Sequence, residues 1–311
     1  MVNKRDGPSD KDYGHFSDKV FSQKGGGLMA KKAKVWLLVA AALILTGGVL
    51  FTGVMMALDW DFAKLSTTEF TLSEYEVSQL YKNIHIDTET SDVVIIPSDV
   101  RKTTVTCLEQ ENMKHSIAVV DGTLTIKLED TRAFHHHIAI NFRKPQIKVY
   151  IPRGEYGNLS IEATTGDVVI QNGFSFENID VSLTTGDIRC KAYAKKAIKL
   201  KTTTGDIRME DVRAWNAELR LTTGNVYMLN VVLSGNVLVH GTTGNVNLDD
   251  CDAKNINIKL TTGNVLCHFL TYKTVDAHTS TGKTNYLRGV DGDPCTIRTT
   301  TGNIIVRYAN Q

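Results

Sequence analysis

Hydrophobic and polar positions follow two different patterns along the chain. Residues 35–58 form one unbroken stretch with no charged side chain. Farther on, apolar and polar residues alternate in short bursts set apart by turns. Val168 and Ile170, Ile188 and Cys190, Ile207 and Met209, Val226 and Met228, Val246 and Leu248, Val265 and Cys267, and Ile304 and Val306 each follow a glycine by two and four residues. A second burst precedes the next glycine, as in Ile198 and Leu200, Leu219 and Leu221, and Ile256, Ile258 and Leu260. Period-two alternation marks a strand with one buried face. Each repeat therefore predicts two short strands separated by a corner.

The corners give the period. They read Thr-Thr-Gly-Asp or a close variant, with glycines at Gly166, Gly186, Gly205, Gly224, Gly244, Gly263, Gly282 and Gly302, spaced 20, 19, 19, 20, 19, 19 and 20 residues. A fixed period of this length marks a solenoid. The expected fold is all-β, a parallel β-solenoid with 19–20 residues per coil. At about 4.8 Å per strand, seven steps span roughly 34 Å. Glycine allows the backbone angles a tight corner needs. Asp167, Asp187 and Asp206, then Asn225, Asn245, Asn264 and Asn303, follow the glycine and offer an oxygen to turn amides. Lys283 breaks this column. The threonines before the glycines, from Thr165 to Thr301, are expected to stack with their hydroxyls bonded along the column. Calcium-binding β-rolls also carry Gly and Asp, but their repeats are shorter, and half of this column is neutral Asn. These corner residues are therefore read as structural turns.

Ahead of the repeats, residues 59–82 read as a linker. Residues 83–160 read as an all-β cap on the N-terminal end of the solenoid, which then occupies residues 161–311. Within the cap, Ile84 and Ile86 alternate, and Thr90-Ser91-Asp92-Val93 resembles a degenerate corner with Ser91 in the glycine place. Residues 116–128 predict a hairpin about Asp121-Gly122. The run Phe134-His135-His136-His137 suggests metal, but adjacent strand residues face opposite ways. At most His135 and His137 share an ion, with no neighbouring acid or thiol to complete a set.

The apolar stretch of residues 35–58 is 24 residues long, roughly 36 Å as a helix. That exceeds a bilayer core of about 30 Å and predicts one uncleaved signal anchor. Lys31, Lys32 and Lys34 precede it and Asp59 and Asp61 follow, which places residues 1–34 in the cytoplasm and the rest outside. Lys24-Gly25-Gly26 can be encoded by a purine-rich ribosome-binding sequence, so translation is expected to start at Met29. Lys and Arg number 35 against 34 Asp and Glu, which gives no sign of a nucleic-acid partner. Cys107, Cys190, Cys251, Cys267 and Cys295 are odd in number and form no CxxC pair, so they read as small buried hydrophobes.

Ile84-His85-Ile86 with Ser91-Asp92-Val93, Val149-Tyr150-Ile151-Pro152, and the Thr-Thr-Gly-Asp/Asn series together resemble the bacterial putative-adhesin family of β-strand-repeat proteins. The resemblance covers about residues 80–311. It implies a β-solenoid ectodomain, often behind a membrane anchor, and assigns no catalytic residue or cofactor. Three function classes follow. The first is a non-enzymatic envelope protein presenting its β surface to a protein or glycan outside the cell, with the strand at Ile304-Ile305-Val306 as an open edge. The second is an accessory or regulator of an envelope-stress sensor, which some relatives imply. The third is a β-helix polysaccharide lyase or hydrolase, for which Arg189, Arg208, Glu210 and Asp211 are the clustered candidates.

Overall fold

Alternation in the sequence becomes alternation of burial. In Ile188–Cys190 the two ends are buried and Arg189 is exposed, and Val226–Leu229 repeats the rhythm. The structure is a computed structural model and describes residues 26–61, 70–110, 112–130 and 144–309. The histidine run at 134–137 and residues 1–25 lie outside that set. The chain divides into two units, Met1–Lys64 and Leu65–Gln311. In the first, helix Gly26–Ala57 contains the span Lys34–Ala57, 24 residues at a mean hydropathy of 2.3, long and apolar enough to cross a membrane.

The second unit is a parallel β-solenoid. Strands that follow the corner glycine stack into one sheet, here called the leading sheet. Strands that precede the corner stack into a second, the trailing sheet. Ile188 pairs with Val168 below it and Ile207 above it, while Ile198 pairs with Ile179 and Ala217. The inward residues of both sheets meet in one continuous, mostly aliphatic core running from Ile84 to Tyr308. One coil could not bury this face alone; stacking provides both the ladder bonds and the core. All five cysteines lie in the core as free thiols, and burial pushes four of them, Cys107, Cys190, Cys251 and Cys295, up to about 12.

Stacking order departs from chain order at both ends. The degenerate corner is a coil: strands Asn83–Thr88 and Asp92–Ser98 pair in parallel with Gly154–Thr165 and Val168–Ile170. On its other side lie Thr123–Asp130 and Gln146–Pro152, also parallel, although they come later in the chain. Antiparallel strands finish this end, with Thr103–Glu109 on Gln146–Pro152 and Thr71–Val77 outermost. The hairpin of Met113–Val120 with Thr123–Asp130 turns at Asp121 and Gly122, both at positive φ, 49° and 70°. That is the type I′ geometry such a dipeptide favours.

At the C-terminal end the last two coils exchange places. Asp293–Thr301 and Ile304–Tyr308 insert directly on the Gly263 coil, and Lys273–Thr281 with Thr284–Asn285 lies beyond them. The expected open edge at Ile304-Ile305 is thus covered by Thr284 and Asn285. The free edge belongs to the Gly282 coil instead.

The corner column shows why. The Oδ1 of each Asp or Asn accepts the main-chain N–H of the same position in the next coil. Asp167 accepts from Asp187, Asp187 from Asp206, and Asp206 from Asn225, at 2.8–2.9 Å. Asn264 accepts from Asn303 at 2.8 Å and Asn303 from Lys283 at 2.9 Å. The oxygen therefore serves the neighbouring coil, not its own turn as the sequence suggested. Lys283 occupies the final rung, where an N–H is needed and an acceptor is not. The threonine column departs from expectation too: among the described residues its hydroxyls do not bond one another, and the corner is held by backbone bonds such as Gly205 N–H to Thr223 O, 3.0 Å.

Candidate binding groove

Outward positions of the leading sheet fall in two columns. Near the C-terminal end, Asn247, Leu266, Ile305 and Asn285 stand in one column in stacking order. Asp249, His268 and Arg307 form the other, His268 pairing in register with Arg307. Tyr286 and Leu287, on the segment that carries the chain back between the exchanged coils, complete an open groove of about 780 Å³. Arg288 reaches over the Tyr286 ring, 5.4 Å from its centroid. Tyr308 closes the floor, packed on Phe269 and Tyr272, with its hydroxyl donating to the Lys273 carbonyl at 3.2 Å.

His268 is held from two sides, its Nδ1 3.2 Å from an Asp249 oxygen and 3.0 Å from an Asp250 oxygen. Asp250 takes positive φ, 49°, which swings two consecutive carboxylates toward one ring. The three side chains offer ligand atoms within 4.8 Å of one another, a spacing a divalent ion could bridge. The groove sets acceptors (Asp249, Asn247, Asn285), a charged donor fork (Arg307) and apolar surface (Leu266, Leu287, Tyr286) within one concavity. That mixture suits a ligand with hydroxyls on its rim and an apolar face. Sequence reading missed it because its members come from four coils, and the exchange brings Tyr286 and Arg307 together.

Three of the four charged residues singled out in the sequence are bonded to other neighbours. Arg189 and Arg208 are in register on adjacent coils. Arg208 bonds Asp206 at 3.0 Å and lies 4.2 Å from the Tyr227 ring centre. Glu210 pairs with Lys191, and Asp211 accepts from Asn230 at 2.7 Å in a separate turn. Arg189, Lys191, Arg208 and Glu210 line one shallow concavity, in which Glu210 is the one acid and is held by Lys191.

A second cluster is sealed in the N-terminal end. Glu109 and His115 are each 1% exposed at the side chain, with Nδ1 3.1 Å from Oε2. Cys107 lies against them. Glu109 Oε2 also accepts the His115 amide at 2.9 Å, and Oε1 accepts the Tyr75 hydroxyl at 3.0 Å. Burial alone would raise the Glu109 carboxyl, but bonds from Ser73, from the His115 amide and ring, and from Tyr75 outweigh it and hold the group below its ordinary value. Burial pushes the His115 ring down, and Glu109 offsets this only in part. Both groups have lower pKa values folded than unfolded, so the stability they contribute is present above the unfolded values and lost as pH falls. Thermal stability is expected to decline once pH drops below about 6.5, where an unfolded His takes up the proton, and more steeply below about 4.5. Melting curves at stepped pH check this. In His115→Asn the first part of the decline should shrink, His240 being another imidazole held below its ordinary value; an unchanged profile would assign it to other groups.

The sequence model of the family described as Toastrack DUF4097 matches residues 81–238. The chain belongs to the Toastrack DUF4097 family. The Toastrack match spans the first coils and stops short of the groove, whose residues begin at Asn247. A comparison with curated proteins finds no match. Among solved structures, a putative lipid binding protein from Parabacteroides distasonis is similar at 16% identity, over 77% of this chain and 98% of its own, with a TM-score of 0.47. A putative adhesin from Bacteroides fragilis is similar at 15% identity over 76% and 97%, TM-score 0.41. A putative cell adhesion protein from Clostridium sporogenes is similar at 10% identity over 77% and 100%, TM-score 0.33.

Proposed function

We propose that this chain is a non-enzymatic cell-envelope protein, anchored by its apolar helix with residues 1–34 in the cytoplasm, whose outward-facing solenoid holds a glycan in the groove at its C-terminal end. The observation that carries the reading is the alignment of Asp249, His268 and Arg307 beside Tyr286 and Leu287. Vicinal hydroxyls match the carboxylate and guanidinium, and the apolar face of a sugar ring matches the tyrosine. The non-enzymatic part is supported by two separate ion pairs, Arg208 with Asp206 and Lys191 with Glu210, which occupy one candidate acid and one candidate base. In this reading the Gly-Asp/Asn corners, Gly166 to Asn303, hold the fold and leave recognition to the faces. The anchor reading is supported by a span of 24 residues at mean hydropathy 2.3.

Glycan-array binding of the full chain in detergent tests the groove. Arg307→Ala, at an exposed residue, and Tyr286→Ala, at a half-buried one whose variant is checked for folding by its melting curve, are expected to weaken glycan binding by about tenfold or more. Equal binding by wild type and both variants would overturn the assignment. Protease added to intact cells tests the orientation: digestion of the solenoid is expected, and protection would place it inside.

A further inference from the structure

The trailing sheet carries an unusual column on its outer face. Four positions before the corner glycine, consecutive coils present Lys201, Arg220, His240, Lys259, Arg298 and His278, each in register with the next. Chain order would have ended the row with His278 and Arg298 reversed; stacking keeps all six contiguous. The preceding coils hold Glu162 and Ser182 in this place, so the row is confined to the C-terminal two-thirds of the stack. Arg220 bonds Glu218 and Arg298 bonds Asp276. Lys201, His240 and Lys259 have no ion-pair partner among the described residues.

Such a row works against folding. Like charges directly opposite on neighbouring strands repel, whereas two residues earlier on the same face the signs alternate, Asp180, Lys199, Glu218. The crowding is felt at His240, where partial burial and then the charges of Arg220 and Lys259 push the imidazole below its ordinary value. Beside the row, Thr203, Thr222, Thr242 and Thr261 expose hydroxyls, and the two columns enclose a shallow channel of about 250 Å³. The channel follows the solenoid axis, so a ligand filling it must be linear and repeat its charge along its length.

We infer that this channel binds a linear anionic glycan, a polymer with a carboxylate on each sugar, laid along the solenoid axis with its acid groups on the basic row and its hydroxyls on the threonine column. A single row one residue wide fits one extended strand. No aromatic side chain lines the channel to stack a base, and the chain is near neutral overall at +1, so charge complementarity here is local to this surface. The channel lies on the opposite sheet from the groove and its assignment does not depend on it.

The test uses the full chain in nanodiscs of uncharged lipid, with immobilised polygalacturonate as probe and dextran as its neutral counterpart. Wild type is expected to bind polygalacturonate, to ignore dextran, and to weaken as salt rises. Lys201→Ala/Lys259→Ala should lose affinity by at least about tenfold. Arg189→Ala/Lys191→Ala, which removes the same charge from the other sheet, should change it less than about twofold. Both double variants alter exposed side chains, and their melting curves verify that they remain folded. Equal losses in the two double variants, or binding to dextran, would overturn the inference. Duplex DNA bound as tightly as polygalacturonate would replace the glycan with a nucleic acid and overturn it as well.

Discussion

Valine at Gly224 is expected to destabilise the solenoid by about 4 kcal/mol or more, among the largest effects a single substitution has. Gly224 sits at φ 140°, a region that side-chain-bearing residues rarely enter, and a Cβ there would lie 1.9 Å from the Gly205 carbonyl oxygen. The obstacle is backbone and cannot swing aside. The neighbouring coil cannot retreat either, because Gly205 N–H bonds Thr223 O and Gly224 N–H bonds Thr243 O, each at 3.0 Å. Since each coil contacts only its neighbours, a fault in the middle of the stack also separates the coils on either side. Asn225→Ala, one residue on, removes the acceptor of Asn245 N–H and should cost only about 1–2 kcal/mol. Urea unfolding followed by circular dichroism separates the two. A Gly224→Val midpoint equal to that of Asn225→Ala would show that the corner tolerates a side chain.

Lys273→Ala is expected to cost about 3–5 kcal/mol and to loosen the last coils first. The Lys273 side chain is fully buried, its ammonium paired with Asp252 and, at 3.5 Å, with Asp293, and donating to the Ala253 carbonyl at 2.8 Å. It therefore ties its own coil to the strands on which the exchanged coil rests. Removing it leaves a cavity and two carboxylates that lose a shared cation. Lys273→Met keeps most of the stem, and Asp293 is half exposed and can turn to water, so this variant should lose less. Hydrogen exchange reads the result: amides of Thr284, Asn285 and Ile304 should exchange faster in Lys273→Ala while those near Ile188 stay protected. Uniform acceleration along the solenoid would mean that Lys273 acts on the whole stack and not on its end.

The coil itself was legible in the sequence. Period-two alternation gives a strand its buried face, and a corner recurring every 19 or 20 residues fixes where each strand begins, so Val168, Ile188 and Ile207 necessarily share a side. The buried cysteines and the apolar helix follow from the same local rules. What these rules cannot order is the stack. All coils present nearly the same faces, so periodicity alone is satisfied by any sequence of them. The final choice depends on which neighbour can accept a given N–H. Had the Gly282 coil stacked in chain order, the Asn303 amide would face Lys283, which has no oxygen to offer; exchanged, it meets Asn264, and Lys283 takes the end. The same exchange brings Arg307 beside His268 and Tyr286 into the groove, and places Arg298 next to Lys259 in the basic row. The sequence by itself therefore determined what each coil is, because that depends on neighbours along the chain. The tertiary structure alone decided which coils meet at the C-terminal end, and with them the groove, because that depends on hydrogen-bond acceptors and a buried lysine distant in sequence.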